Sequence, residues 1–136
     1  MPIPSQYNLP PTINEDEFED MVEDYFKLNY PNAQRYGRKG QKQYGLDITY
    51  TNNSSHQLIG IQCKKYATLS TSDIDSIIDA VGDFHIKIND NSSLEIINLI
   101  IATTAPRDAK IQSYVLQKRQ ELNKEIQIIF GKILDL

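Results

Sequence analysis

The chain has 136 residues, 40% hydrophobic and 24% charged, which bounds it to one ordinary globular domain with room for a buried core. Its formal net charge of -4 excludes a surface that is cationic throughout, although a local basic patch is compatible with that total. A single cysteine, Cys63, excludes an internal disulfide, and with His56 and His85 as the only histidines a structural zinc lacks ligands.

Residues 1–14 hold four prolines and no periodicity, which predicts an extended arm ahead of a domain over 15–136. From Glu15 to Leu28, "EDEFEDMVEDYFKL" sets Phe18, Val22 and Tyr25 on one helical stripe, with Met21 and Phe26 beside it. Acidic residues crowd its first turn, where the helix dipole favours them, and Tyr30-Pro31-Asn32 ends it. A loop with three glycines, "NAQRYGRKGQKQYG", leads into a strand over Leu46–Thr51, with Leu46, Ile48 and Tyr50 on one face and Asp47 and Thr49 on the other. "NNSSH" reads as a hairpin turn and "QLIGIQCKK" as the returning strand.

Ser72, with Asp75 three residues on, predicts the start of a second helix whose stripe is Ile74, Ile77, Ile78, Val81 and Phe84 or His85. The nearly unbroken apolar run "LEIINLIIAT", Leu94 to Thr103, suits a central strand covered on both sides. Pro106 is expected to open a third helix with the stripe Ile111, Tyr114, Val115 and Leu122, and "EIQIIF" to form a last strand. A hairpin followed by strands alternating with helices implies an α/β fold: a mixed central sheet flanked by helices on both sides. No apolar run approaches the roughly 20 residues that span a bilayer, and no signal-peptide pattern opens the chain, so the reading is cytoplasmic.

The chemistry concentrates in the hairpin. Strand side chains alternate, so Gln62 and Lys64 share one face of "LIGIQCKKY" while Ile59, Ile61 and Cys63 share the other. Asp47 on the neighbouring strand brings a carboxylate to the same end of the sheet. A carboxylate, an amide oxygen and an ammonium form a set that suits magnesium and a reacting phosphate. The bland reading is a solvent-facing amide and lysine beside a turn carboxylate, and spacing alone favours it.

Three phrases, "FEDMVEDYF", "GQKQYGLDI" and "IGIQCKKY", occur in an order that resembles the PD-(D/E)XK nuclease superfamily, and within it the Mrr-like restriction endonucleases. The resemblance covers most of 14–130. It implies a restriction-endonuclease-like fold and a magnesium-dependent endodeoxyribonuclease, with manganese as substitute. On it, Asp47 is the main metal carboxylate, Gln62 a side-chain oxygen ligand, the Cys63 carbonyl a further ligand, and Lys64 the group that positions water and stabilises the transition state. Glu19 completes the metal shell, directly or through water, by its place after Phe18; Glu23, one turn on, is its rival, and helix phase alone does not decide between them. Gln rather than Glu at position 62 removes a negative charge and implies weaker metal holding.

Arg35, Arg38, Lys39 and Lys42 lie in a loop without an acidic residue that runs into Asp47, and they are expected to contact phosphate, with Lys65 and Arg107 as weaker candidates. Cys63 is read as packing, Tyr36, Tyr44 and Tyr66 as site-flanking or core-edge residues, and Thr103 and Thr104 as facing the site or entering the third helix. The expected partner is double-stranded DNA, cut with little sequence specificity. "NAQRYGRKGQKQYGLDI" and "IIATTAPRDAKIQ" also resemble nuclease domains that head larger bacterial anti-phage proteins, which implies a type IV restriction or defence effector. Linked sensor or ATPase domains and a homodimer or higher oligomer are part of that expectation. The alternative is a catalytically inactive nucleic-acid-binding module of the same fold, and an interaction domain of a defence assembly is a third reading.

Overall fold

The computed structural model describes residues 14–37, 44–52 and 57–131. Helix α1 (Glu15–Lys27) is started by Asn14, whose side chain accepts the Glu17 N–H at 2.8 Å while the Glu17 carboxylate accepts the Asn14 N–H. This reciprocal cap satisfies two otherwise orphaned donors. Phe18, Val22 and Phe26 form the buried stripe of α1, with Tyr25 and Met21 at its edge.

Beyond α1 the elements are β1 (Gln34–Arg35), β2 (Ile48–Thr51), β3 (Leu58–Lys64), α2 (Thr71–Val81), β4 (His85–Asn89), β5 (Ser92–Thr103), α3 (Ala109–Leu122) and β6 (Glu125–Ile129). The strands make one mixed sheet in the order β1-β2-β3-β5-β4, with β6 also paired to β5. β2 pairs antiparallel with β1 and β3, whereas β3, β5 and β6 run parallel. Among the described residues no helix is long and apolar enough to cross a membrane.

Each face of the sheet has its own core. Phe18, Val22 and Phe26 of α1 pack on Ile48, Tyr50, Ile59, Ile61, Ile100 and Ala102. On the other face α2 and α3 cover Leu46, Leu58, Leu99, Ile101 and Ile126. Side chains that alternate along β5 therefore feed both cores, as its continuous apolar run requires.

Four sequence expectations need correction. The second helix starts two residues early, because Ser70 and Asp73, not Ser72 and Asp75, form the capping box. It also ends at Val81: Gly82 takes φ +74° and Phe84 φ +62°, which a continuing helix forbids. His85 and the residues after it enter β4, which pairs with β5 across the two-residue turn Asp90-Asn91. Pro106 does not open α3; Asp108 caps it instead, its carboxylate accepting the Lys110 and Ile111 N–H groups. Leu122, expected in the α3 stripe, is exposed at the helix end.

Leu46 and Ile48 also fall on opposite faces of the sheet, not on one. The ordered strand begins at Ile48, and Leu46 crosses to the α2 side, where it fills the space above Gly60. A Cβ at Gly60 would lie 2.6 Å from Leu46 Cδ2. Gly45 makes the crossing feasible with φ +72° and by lying against Ala80 of α2.

Candidate active site

Asp47 sits where β2 begins and its backbone is tied on both sides. Its N–H donates to the Ile61 carbonyl at 2.8 Å, and its carbonyl accepts the Tyr36 N–H at 2.9 Å. Ile48 pairs with Ile61, so continuing the register by one residue sets Asp47 opposite Gln62. The carboxylate then reaches past that position, and Oδ2 accepts the Cys63 N–H at 2.7 Å. This side chain thereby meets a ladder donor that the departing strand leaves behind. Among the described residues no second hydrogen bond occupies the group.

Gln62 shares the α2 side of β3 with Gly60 and Leu58, and it is 5% exposed. The solvent-facing reading of this amide is therefore wrong: the sheet face is covered here. Its Oε1 is buried without a hydrogen-bond partner among the described residues. Lys64, two residues on, is partly buried and makes no ion pair among the described residues. From the other side α1 contributes Glu19. These four side chains line one cleft of about 460 Å³, together with Glu15, Gly45, Leu46, Cys63, Lys65, Tyr66 and Ala80. A larger depression of about 830 Å³ along α3 gathers no comparable set, and Arg119 and Glu125 in it pair with each other at 3.0 Å.

The electrostatics of the cleft are unfavourable as it stands. Burial, then the neighbouring Asp47, pushes the Glu19 carboxyl up from 4.5 to about 7, against the pull of Arg35. Asp47 is raised as well by burial, opposed by the Cys63 N–H and by Lys64. Two close carboxylates in a partly dry site are each driven towards the neutral form unless positive charge arrives. Burial also holds the Cys63 thiol well up, so it is no nucleophile at neutral pH. No cluster of three His, Cys, Asp or Glu side chains able to hold a metal forms among the described residues. The oxygen donors here are two carboxylates and an orphaned amide, a set that fits a hard divalent cation.

A family model described as a restriction endonuclease, of the Mrr catalytic type, matches residues 14–132. The chain belongs to the Mrr-like restriction endonuclease family. It is thus a PD-(D/E)XK nuclease domain with a mixed sheet flanked by helices, and the family's substrate is DNA. No curated protein and no solved structure gives a significant match.

Within this Mrr-like domain the remaining site expectations divide. Glu23 pairs with Lys27 at 3.3 Å and lies outside the cleft lining, whereas Glu19 lies in it. Lys65 lines the cleft; Arg107 is exposed and stands apart from it. Arg38, Lys39 and Lys42 lie outside the described residues. Arg35 is engaged by the carboxylates of α1. Tyr66 borders the cleft, while Tyr36 and Tyr44 pack against the α2 side core. Thr103 is buried and accepts the Ala105 N–H, and Thr104 donates to the Tyr66 carbonyl at 3.0 Å, which pins the segment after Lys64. Sequence reasoning missed Glu15 at the cleft and the pairing of Arg35. Their only signal was the acidic spacing along α1.

Proposed function

We propose that this domain is a magnesium-dependent endodeoxyribonuclease with little sequence specificity of its own. The observation that carries the reading is the orphaned Oε1 of Gln62, a residue that lines one cleft with Asp47 and Glu19. An unmet buried acceptor costs about 1–3 kcal/mol, and such a cost persists where a ligand relieves it. Glu19, Asp47, Gln62 and the Cys63 carbonyl would hold the cation. Bound magnesium, or manganese in its place, supplies Lewis-acid polarisation of the phosphoryl group and a more acidic water.

The protein's own groups do the rest. Lys64, free of any ion pair among the described residues, would orient the attacking water and offset charge growing on the phosphoryl oxygens. Asp47, fixed by the Cys63 N–H, keeps its carboxylate in place without rearrangement during the reaction. Water adds to phosphorus and the bond to the 3′ oxygen breaks, which leaves a 5′-phosphate and a 3′-hydroxyl. The family likeness supports a double-stranded substrate and a role as effector in a cytoplasmic anti-phage or type IV restriction protein. Sensor or ATPase domains would then lie elsewhere in a longer chain, and a homodimer or higher oligomer would cut both strands. Light scattering and the sequence of the full gene product test those last points.

Plasmid cleavage tests the reaction. Asp47→Ala and Lys64→Ala are each expected to lower the rate at least about 100-fold, the scale seen when one preorganised transition-state group is removed. Chelation of divalent ions should abolish cutting. Cleavage that survives both substitutions leaves a different site, and DNA binding without any cleavage leaves a binding module.

A further inference from the structure

Arg35 lies on the edge strand β1, opposite Ile48, and its guanidinium crosses to α1. Nη2 reaches Glu19 Oε1 at 2.6 Å and Asp16 Oδ1 at 3.5 Å, and Nη1 reaches Asp20 Oδ1 at 2.8 Å. Asp16, Glu19 and Asp20 have the spacing that places side chains on one helical face. Only Glu19 of the three lines the cleft, with a side chain 18% exposed against 68% for Asp20 and 90% for Asp16.

We propose that Arg35 is a positioning residue for the metal site, clasping one oxygen of Glu19 against α1 so that the carboxylate is presented to the cleft in a fixed pose. This rests on the proposed metal-dependent reaction. Three features carry it. A guanidinium is a rigid fork, and this one is anchored on Asp20 while it holds Glu19, so the pose of Glu19 is set from two elements at once. Carboxylates that ligate metals are themselves hydrogen-bonded, and loss of such partners weakens metal binding. The same three carboxylates surround Arg35 with excess negative charge, which repels a phosphate. Arg35 is thereby removed from the loop of phosphate-contacting bases to which its sequence position assigns it.

The test uses the whole chain and Mn²⁺ as probe. Free Mn²⁺ is followed by electron paramagnetic resonance in a metal titration without DNA. Arg35→Gln is expected to weaken Mn²⁺ binding about 10- to 100-fold. In plasmid cleavage the Mn²⁺ concentration for half-maximal rate should rise by the same factor, with the rate at saturating Mn²⁺ nearly recovered. DNA affinity in chelator, and its dependence on salt, should stay as in the wild type. Asp20→Asn, at an exposed position, should shift Mn²⁺ binding in the same direction by less, and it serves where Arg35→Gln fails to fold. Unchanged or tighter Mn²⁺ binding in these variants overturns the proposal, since Arg35 would then be a bystander or a competing cation. A salt slope reduced by about one in Arg35→Gln also overturns it, because that marks a phosphate contact. If the wild type binds no Mn²⁺, or Asp47→Asn binds it equally well, the metal site itself is refuted, a result distinct from failure of Arg35 alone.

Discussion

At Gln62 a buried amide oxygen accepts from no protein group among the described residues, so the side chain that serves the proposed reaction is expected to weaken the fold. Gln62→Met, similar in length but apolar, should raise stability in urea by about 1 kcal/mol while eliminating plasmid cleavage. Loss of stability together with activity would mean that the amide is satisfied in solution. Glu19 gives the pH counterpart. Its folded-state carboxyl titrates near 7 against 4.5 when unconstrained, so between those values the folded protein holds a proton that the unfolded chain has lost. That contribution to stability is complete below about 4.5 and is lost as pH rises through about 7. Without divalent ions, Glu19→Gln should therefore gain on the wild type from pH 4.5 to 7 and hold a constant lead above, as read from urea midpoints at pH 5 and 8. Glu19, Asp47, Gln62 and Lys64, which the structure brings into one cleft, stand in the sequence as short motifs in order. The role proposed for Arg35 differs from the one its sequence position suggests because its partners lie on another element, and a side chain reaching 15 residues back along the chain leaves no local signature.

Among the elements, the strand pair β2–β3 shows how local pattern fails by one residue. Alternation put Leu46 with Ile48, yet the chain crosses the sheet between them because Gly60 leaves a hole that Leu46 fills. Gly60→Ala is expected to cost about 1–3 kcal/mol by overpacking and to depress cleavage further by displacing Asp47, the next residue after Leu46. Adding Leu46→Val to that variant should recover most of both losses in a double-mutant cycle; failure to do so would locate the strain elsewhere. The hairpin β4–β5 went unseen because the apolar spacing of α2 runs on through Phe84 and His85. Gly82 and the Asp90-Asn91 turn were the available signals, since the first halts a helix and the second reverses a strand. Ser70 and Ser72 each stand three residues before an aspartate, Asp73 and Asp75, and only the backbone decides which donors are free.

Across the whole molecule, a net charge of -4 must be reconciled with a polyanionic substrate. Lys64 and Lys65 bring positive charge to the cleft, Arg35 is paired with carboxylates of α1, and Arg38, Lys39 and Lys42 precede Asp47 outside the described residues. Replacing Arg38 and Lys39 together with alanine should lower the salt slope of DNA binding by about two, measured by fluorescence anisotropy across a salt series. An unchanged slope would assign phosphate contact to other groups. The layered α/β architecture itself was readable, because a continuous apolar run bounded by amphipathic helices has few other ways to be covered on both sides.

That central run has a further consequence. Ile100, Ile101 and Ala102 are paired along both edges, to β3 and to β6, and are closed over on both faces. Their amides are expected to exchange with deuterium only when the entire domain opens, and Gln62 and Lys64 ride on the adjoining strand. Glu19 rides on α1, whose Phe18, Val22 and Phe26 close one face of that slab, so any movement of α1 that displaced the carboxylate would also open this core. Cleavage and the slowly exchanging amides of this strand are therefore expected to disappear over the same temperature range.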